Sequence, residues 1–303
     1  MGMRLRIIIN PSSGRETSLQ ALDNIIMYLS QSGNLERSDI CYTRGRYDAT
    51  NFAMKTDPGE YDAIVALGGD GTVNEVITGI MRAGIDIPLA IYTSGTVNDF
   101  ATINNLPLEP SDFARMLTKP DYLKVDCGQV NDDFFLNVLA GGNLTDVAYR
   151  TNSDFKTAIG PAAYWLSALK DLPEVTRSFK VKITANGKTY DEDLIMFLIA
   201  NTKSVGGFRT LMTKADITDG VLDMMVIRKM DPIDIVPLLG SLVIGEHINN
   251  DNILYIQSDD ITLESEENVV LDIDGEKGST LPAKVKCIKE AITLIVPAKE
   301  EPL

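Results

Sequence analysis

Three glycines around one carboxylate, Gly68-Gly69-Asp70-Gly71-Thr72, carry the clearest chemistry in the chain. A backbone almost bare of side chains lets a polyphosphate approach amide N–H groups, and a helix starting there adds the positive end of its dipole. Asp70 supplies a carboxylate for a magnesium ion or a reacting hydroxyl. A plain strand-to-helix turn with an Asp cap would need one glycine, not three. Two further loops offer matching groups: Asn10-Pro11-Ser12-Ser13-Gly14 and Thr93-Ser94-Gly95-Thr96-Val97-Asn98-Asp99. With Thr72 they present hydroxyls and free amides, as a nucleoside triphosphate requires. The chain has no Walker lysine and no Gly-x-Gly-x-x-Gly before a helix, so P-loop NTPases and Rossmann dehydrogenases do not fit. Charge neutralisation falls to amides, magnesium and Arg15, Arg44 or Arg46, which read equally well as surface charges.

The second half holds two acidic clusters. Asp272-Ile273-Asp274-Gly275-Glu276 places Asp274 and Glu276 around a glycine at a strand end, where a carboxylate could accept a hydroxyl proton during phosphoryl transfer. An Asp-Gly hairpin turn accounts for the same spacing equally well. The stretch from Asp216 through Asp219 and Val221 to Asp223 resembles part of a cation loop but lacks the alternating ligands of an EF-hand. Asp219 and nearby carbonyls could hold a cation; a turn is the simpler reading.

These residues need elements to position them. Up to about residue 125, strand and helix patterns alternate, predicting a mostly parallel α/β sheet. Strands are expected at Arg4–Asn10, Ile40–Tyr42, Ala63–Leu67, Pro88–Tyr92 and Tyr122–Cys127. Leu19, Leu22, Ile25, Ile26 and Leu29 form the apolar face of the first helix, which Gly33 should stop. In an open parallel sheet the three loops would all emerge at the carboxyl edge, where ligands bind. From about Gly128 the strands become short and closely spaced, and Asn186-Gly187 reads as a two-residue hairpin turn, so a β-sandwich-like second domain is expected. Its expected strands are Asp132–Ala140, Phe179–Thr184, Leu194–Ala200, Val221–Ile227, Ile253–Ile256, Ile261–Leu263, Val269–Ile273, Val285–Ile288 and Ile292–Val296. Two helical insertions interrupt it, one holding Tyr164, Trp165 and Leu169, the other starting with Asp231 as N-cap and Pro232. The predicted domains are 1–127 and 128–289, with a last strand near 290–303 that can return to the first.

The 303 residues suffice for two cores, and 44% hydrophobic with 23% charged residues is ordinary for a soluble globular chain. A net charge of −15 argues against nucleic acid as a partner and against constitutive docking on anionic membranes. Cys41, Cys127 and Cys287 are widely spaced, which excludes a disulfide framework and a typical zinc site and predicts reduced thiols. His247, the one histidine, lies in a polar stretch and is expected at the surface or in a cap. No apolar run reaches membrane-spanning length; Ile235–Ile244, the longest, is broken by Pro237 and Gly240. The start reads as a strand rather than a leader, so a cytoplasmic location with transient peripheral membrane contact is expected.

The motifs resemble the catalytic domain shared by diacylglycerol, sphingosine and ceramide kinases. The resemblance rests on Asn10–Gly14, Gly68–Thr72 with Asn74-Glu75, and Gly95–Ala101, then Asn201, Gly206-Gly207, Asp219–Asp223 and Asp272–Glu276 in the family's order. It covers nearly the whole chain and is strongest toward the bacterial diacylglycerol kinase-like lipid kinases. It implies a three-layer α/β nucleotide-binding domain of the NAD kinase/diacylglycerol kinase type, a C-terminal β-sandwich domain, and substrate in the cleft between. It implies ATP contacts from Asn10, Ser12, Gly14, Thr43, Gly69, Asp70, Gly71, Thr72 and Thr96, with the rest of the three loops (Pro11, Ser13, Gly68, Asn74, Glu75, Gly95, Asn98, Asp99) as further candidates. The base role would fall on Glu276, with Asp274 beside it; Asp70 would handle the catalytic magnesium, although in some relatives that Asp is discussed as the base. A structural magnesium on the second domain would use the Asp219 side chain and carbonyls near Asp216 and Val221, with Asp126 behind them. Ser94, Val97 and the short Val205-Gly206-Gly207 run depart from the commoner pattern. The implied reaction is ATP-dependent phosphorylation of the hydroxyl of diacylglycerol or a similar lipid, giving phosphatidic acid and ADP. Phe134, Phe135, Trp165, Leu166, Phe197 and Phe208 are candidates to line the acyl chains. NAD kinase-like transfer, which shares Gly-Gly-Asp-Gly-Thr, and a silent lipid- or nucleotide-binding regulator are the alternatives. A homodimer is compatible with the sequence.

Overall fold

The computed structural model of the chain describes residues 2–13, 17–93, 99–142, 177–205 and 210–298. It divides into two units, Met1–Val125 with Glu290–Leu303, and Asp126–Lys289. Two strands, β5 (Pro120–Val130) and β15 (Ala283–Pro297), run from one unit into the other.

In the first unit, parallel strands lie in the order β2-β1-β3-β4-β15. They are β1 (Met3–Ile9), β2 (Leu35–Tyr42), β3 (Ala63–Gly68), β4 (Leu89–Thr93) and the end of β15, where Leu294 pairs with Leu89. Every residue of β3 is buried, because helices cover both faces of the sheet. On one face, Leu22, Ile25 and Leu29 of α1 (Thr17–Gln31) and Phe113 and Leu117 of α5 (Pro110–Thr118) share a core with Ile7, Ile9, Val65 and Leu67. On the other lie α2 (Asp48–Met54) and α3 (Asp70–Ala83). There a Cβ on Gly79 would stand 2.5 Å from the Thr50 carbonyl oxygen, so the small residue sets how closely the two helices approach. This is a three-layer α/β unit. Gly33 ends α1 with φ +69.

β2 and α5 both depart from the sequence reading. β2 begins at Leu35, five residues before the expected start, because an edge strand with one neighbour tolerates the exposed run Glu36-Arg37 that hides its periodicity. α5 is an addition to the expected elements. Its signal is present in Pro110 at the first turn and Phe113, Met116 and Leu117 at helical spacing, all three buried.

The second unit is a β-sandwich. Antiparallel strands run in the order β14-β13-β7-β9-β8-β12-β15, with β10 beside β9, β11 beside β10 and β6 beside β5. They are β6 (Asp133–Phe135), β7 (Val138–Gly142), β8 (Phe179–Ala185), β9 (Lys188–Ala200), β10 (Leu222–Arg228), β11 (Ile253–Ser258), β12 (Asp260–Glu264), β13 (Val270–Ile273) and β14 (Glu276–Thr280). Asn186 and Gly187, with φ 51 and 71, make the expected hairpin turn. Alternation on β10 sends Leu222, Met224 and Val226 into the sandwich core. Met225 and Ile227 point the other way, toward Ile235, Leu238 and Leu242 of α6 (Pro232–Ile244). Asp231 occupies the N-cap position of α6 but makes no side-chain capping bond. The expected strand Asp132–Ala140 is two strands, β6 and β7, and the two expected after Val285 are one, with Glu290 at φ 51 inside it. The insertion with Tyr164, Trp165 and Leu169 lies outside the described residues.

His247 corrects another expectation. It is fully buried in a 3-10 turn after α6, and its Nε2–H donates to the Leu211 carbonyl at 2.8 Å. Burial lowers its pKa below the usual value near 6.5, so the unfolded chain binds a proton that the folded chain refuses. This group's contribution to stability is therefore present above pH about 6.5 and declines as pH falls through the window below it. In thermal melts across that window, His247→Gln should remove that part of the decline; a variant with the wild-type slope would refute the assignment.

Candidate functional site

The first unit assembles its loops through sheet register. Ile9 lies opposite both Tyr42 and Leu67, and Gly68 lies opposite Thr93, so four strands end at one level. The ladder continues a step further: Asn10 N–H donates to the Leu67 carbonyl at 3.0 Å and Thr43 N–H to that of Ile9 at 2.9 Å. Asn10, Thr43 and Gly69 thus leave one carboxyl edge together. Asn10 then folds its own loop, its Oδ1 accepting the Ser12 amide at 3.1 Å and the Ser12 hydroxyl at 2.7 Å. That Asx turn carries Pro11 and Ser13 with it, and Ser12 is exposed.

Gly68 is required by packing. A Cβ there would stand 2.6 Å from Thr72 Oγ1 and 2.7 Å from Thr72 Cβ, so only glycine lets strand β3 turn straight into α3. Gly69 is the N-cap, extended and without a side-chain capping bond, and Asp70 and Gly71 open the helix half-buried. The first turn thus meets the carboxyl edge with its dipole uncapped by any side chain at Gly69. Thr72 is buried and Asn74 half-buried. Glu75 is structural. Its Oε1 accepts the Tyr47 N–H at 2.8 Å and its Oε2 the Ala49 N–H at 3.1 Å, which caps α2. Arg44 and Arg46 are exposed, and Arg46 lies over the Tyr47 ring. Gly14, Arg15, Gly95, Thr96 and Asn98 lie outside the described residues, and of Asp99 only the backbone is described, opening the short helix α4 (Asp99–Ile103).

In the second unit, Asp274 and Gly275 have φ 50 and 88, and Ile273 pairs with Glu276, so the Asp-Gly-Glu segment is the two-residue hairpin joining β13 and β14. Asp274 is a clamp. Its carboxylate accepts the N–H groups of Leu136 (2.9 Å), Asn137 (3.0 Å) and Val138 (2.7 Å), and its own N–H donates to the Val138 carbonyl at 2.9 Å. This explains the break between β6 and β7. Asp272 holds the turn from below, its Oδ1 accepting the Gly275 N–H at 2.7 Å. Glu276, the first residue of β14, is exposed.

The Asp216–Asp223 loop is built on Asx turns. Asp216 Oδ1 accepts the Thr218 amide and hydroxyl at 3.0 and 2.7 Å, and Asp219 Oδ1 accepts the Val221 N–H at 3.0 Å. Buried Asp126 accepts the Gly220 N–H at 2.6 Å and binds the loop back through its own N–H to the Ile217 carbonyl at 2.7 Å. Loss of hydration, then the Asp216 and Asp126 carboxylates, raise Asp219 above its usual range. Asp223, which sequence reading does not separate from the loop, is buried, accepts the Tyr255 hydroxyl at 2.6 Å and is pushed up to about 6 by burial. Among the described residues no group of three or more His, Cys, Asp or Glu stands ready to hold a metal ion.

Residues 4–130 match the diacylglycerol kinase catalytic domain, and residues 138–296 match the YegS C-terminal NAD kinase beta sandwich-like domain. A diacylglycerol kinase of Bacillus subtilis (strain 168) is 33% identical over 298 residues, 98% of this chain and 97% of that protein. The chain belongs to the diacylglycerol kinase catalytic-domain family. A diacylglycerol kinase of Staphylococcus carnosus (strain TM300) is 31% identical over 98% of this chain and 96% of its own length. A crystal structure of a diacylglycerol kinase from Bacillus anthracis str. Sterne superposes with a TM-score of 0.80 at 26% identity, covering 97% of both chains. As a member of this family the protein is a phosphotransferase with an alcohol acceptor.

Two features of this kinase correct the residue-level reading. Phe135 and Phe197 are fully buried in the sandwich core, where the Phe135 ring fills the space left by Gly128 and the Phe197 ring that left by Gly141. They do not line an acyl-chain surface. Phe134 is half-buried, and Trp165, Leu166 and Phe208 lie outside the described residues. Asn201 enters the sequence reading only as part of a motif, yet its Nδ2 donates to the carbonyls of Asp126 (2.8 Å) and Leu136 (3.3 Å). It thereby ties Leu136, whose N–H the Asp274 clamp holds, to Asp126, which anchors the acidic loop. Cys127 is buried and Cys41 and Cys287 half-buried, all three free.

Proposed function

We propose that this kinase transfers the γ-phosphoryl group of ATP to the free hydroxyl of diacylglycerol, giving phosphatidic acid and ADP. The observation that carries the nucleotide reading is the register of β1–β4, which delivers the Asn10 turn, Thr43 and the Gly69–Thr72 helix start to one edge. The names of the relatives support diacylglycerol as the acceptor. In the reaction the hydroxyl oxygen forms a bond to the γ-phosphorus, the bond from that phosphorus to the bridging oxygen of ADP breaks, and the hydroxyl proton passes to the Glu276 carboxylate. Asp274 already receives three backbone N–H groups, which suits it to positioning the hairpin and supports Glu276 rather than Asp274 as the base. Asp70 is suited to magnesium, which neutralises phosphate charge when bound. A second cation would suit the acidic loop: the donors are hard oxygens from Asp219 and the Asp216 and Val221 carbonyls, and a divalent ion would offset the Asp216 and Asp126 charges that add to burial in raising Asp219.

The test is transfer of label from Mg-ATP across diacylglycerol, sphingosine and NAD in detergent micelles. Labelled phosphatidic acid is expected. Label in NAD, or in none of the acceptors, would overturn the reading.

A further inference from the structure

Tyr47 holds a backbone conformation that an aromatic residue does not favour. Its φ of 69 lies in the left-handed region, where glycine and asparagine sit more easily. Burial does not account for it. Tyr47 is 53% exposed at the N-cap position of α2 and makes no side-chain capping bond. The Arg46 guanidinium, also exposed, lies over the ring at 5.0 Å from its centroid. A strained turn that keeps an aromatic ring and a planar cation in water calls for a ligand.

The turn is firmly held. Asp48 Oδ2 accepts the N–H groups of Arg44 (2.7 Å) and Gly45 (3.0 Å), and the Asp48 N–H donates to the Gly45 carbonyl at 3.3 Å. Glu75 of α3 accepts the N–H groups of Tyr47 and Ala49, so the helix whose start faces the carboxyl edge also fixes this turn. A Cβ on Gly45 would meet nothing within 4 Å, which leaves the turn open on that side. A platform already ordered loses little entropy when a flat ligand stacks on it.

Position narrows the ligand. The turn follows β2, two places from β3 in the order β2-β1-β3, and neighbouring strands lie about 4.8 Å apart. Thr43 therefore stands roughly 10 Å along the carboxyl edge from the α3 start. A nucleotide extends about that far from its outer phosphates to its base. With phosphates at Gly69–Thr72, the base falls at the turn that carries Arg46 and Tyr47.

We propose that Tyr47, backed by Arg46, is the stacking platform for the purine base of the nucleotide. The inference rests on the nucleotide reading above and adds to it the group that meets the base. A ring of this kind reads the flat face of a base, and the guanidinium behind it strengthens the contact.

The full chain carrying Tyr47→Trp should be titrated with Mg-ATP, Mg-ADP and inorganic triphosphate, beside wild type as the background for Trp165. Both nucleotides should quench the added indole emission, and triphosphate, which has no base, should leave it unchanged. Tyr47→Gly deletes the ring and removes the strain at positive φ, so its thermal melt should stay near wild type. Its KM for Mg-ATP should rise roughly 5- to 150-fold, the value of one base–aromatic stack, with the effect on KM rather than kcat. Tyr47→Phe keeps the ring and should keep the wild-type KM. Tyr47→Gly with a wild-type KM for Mg-ATP would overturn the platform and leave the kinase standing. So would Tyr47→Trp emission unmoved by Mg-ADP that calorimetry shows to be bound. Equal quenching by triphosphate would place phosphate, not the base, at the ring and would also overturn it. A wild type that binds neither nucleotide in calorimetry would sink the nucleotide reading first, and the platform with it.

Discussion

Replacing Glu276 by glutamine is expected to slow phosphoryl transfer roughly 100- to 10,000-fold, the usual range for removing a general base. Binding of ATP and thermal unfolding should be unchanged. Glu276 is exposed at the start of β14, and the amide keeps its size and hydrogen-bonding reach while losing the ability to take a proton. The turn that presents it is held by other groups, Asp272 on Gly275 and Asp274 on the β6–β7 connection, so the substitution leaves the hairpin in place. The measurement is single-turnover transfer beside ATP titration and a thermal melt. A Glu276→Gln enzyme with more than about a tenth of wild-type transfer would move the base role elsewhere, with Asp70 next in line.

Asp274→Ala should act differently, lowering stability and transfer together. The carboxylate satisfies three backbone N–H groups, two of them on the buried residues Leu136 and Val138. Stranding buried donors costs on the order of 1–3 kcal/mol each, less where water can reach them, so a loss of about 3 kcal/mol is expected. For a unit of this size that is a fall in Tm of roughly 6–12 °C. Alanine at φ 50 adds strain that asparagine at the same position avoids. Asp274→Asn should therefore fall between wild type and alanine in the melt. If Asp274→Asn instead kept full stability while losing all transfer, Asp274 would be acting on the substrate directly, and its positioning role would be refuted.

Much of the architecture was legible because its signals are local. Ala63–Leu67 reads as a covered strand from five consecutive apolar residues, and all of β3 is buried. The Asn186-Gly187 turn follows from two residues that tolerate positive φ. The loops after β1 and β3 stand out by composition, since small residues and hydroxyls at strand ends are visible without a fold. β2 is only half legible for the opposite reason: an edge strand in water has no burial to impose alternation.

Side-chain duties were legible only where the partner is near in the chain. Asp216 and Asp219 fold turns two residues long, and a turn is the simpler reading of that stretch. Asp274 meets its partners 136 to 138 residues away, Glu75 caps a helix 26 to 28 residues upstream, and His247 donates to a carbonyl 36 residues before it. A carboxylate that clamps a backbone and one that takes a proton are the same residue type in the same motif. Periodicity and turn chemistry act over a few residues, so the chain's own pattern was enough for its elements, loops and likeness to a family. Which donors and acceptors meet depends on strands returning across the sheet, and that was settled by the fold, where burial makes every long-range partner count.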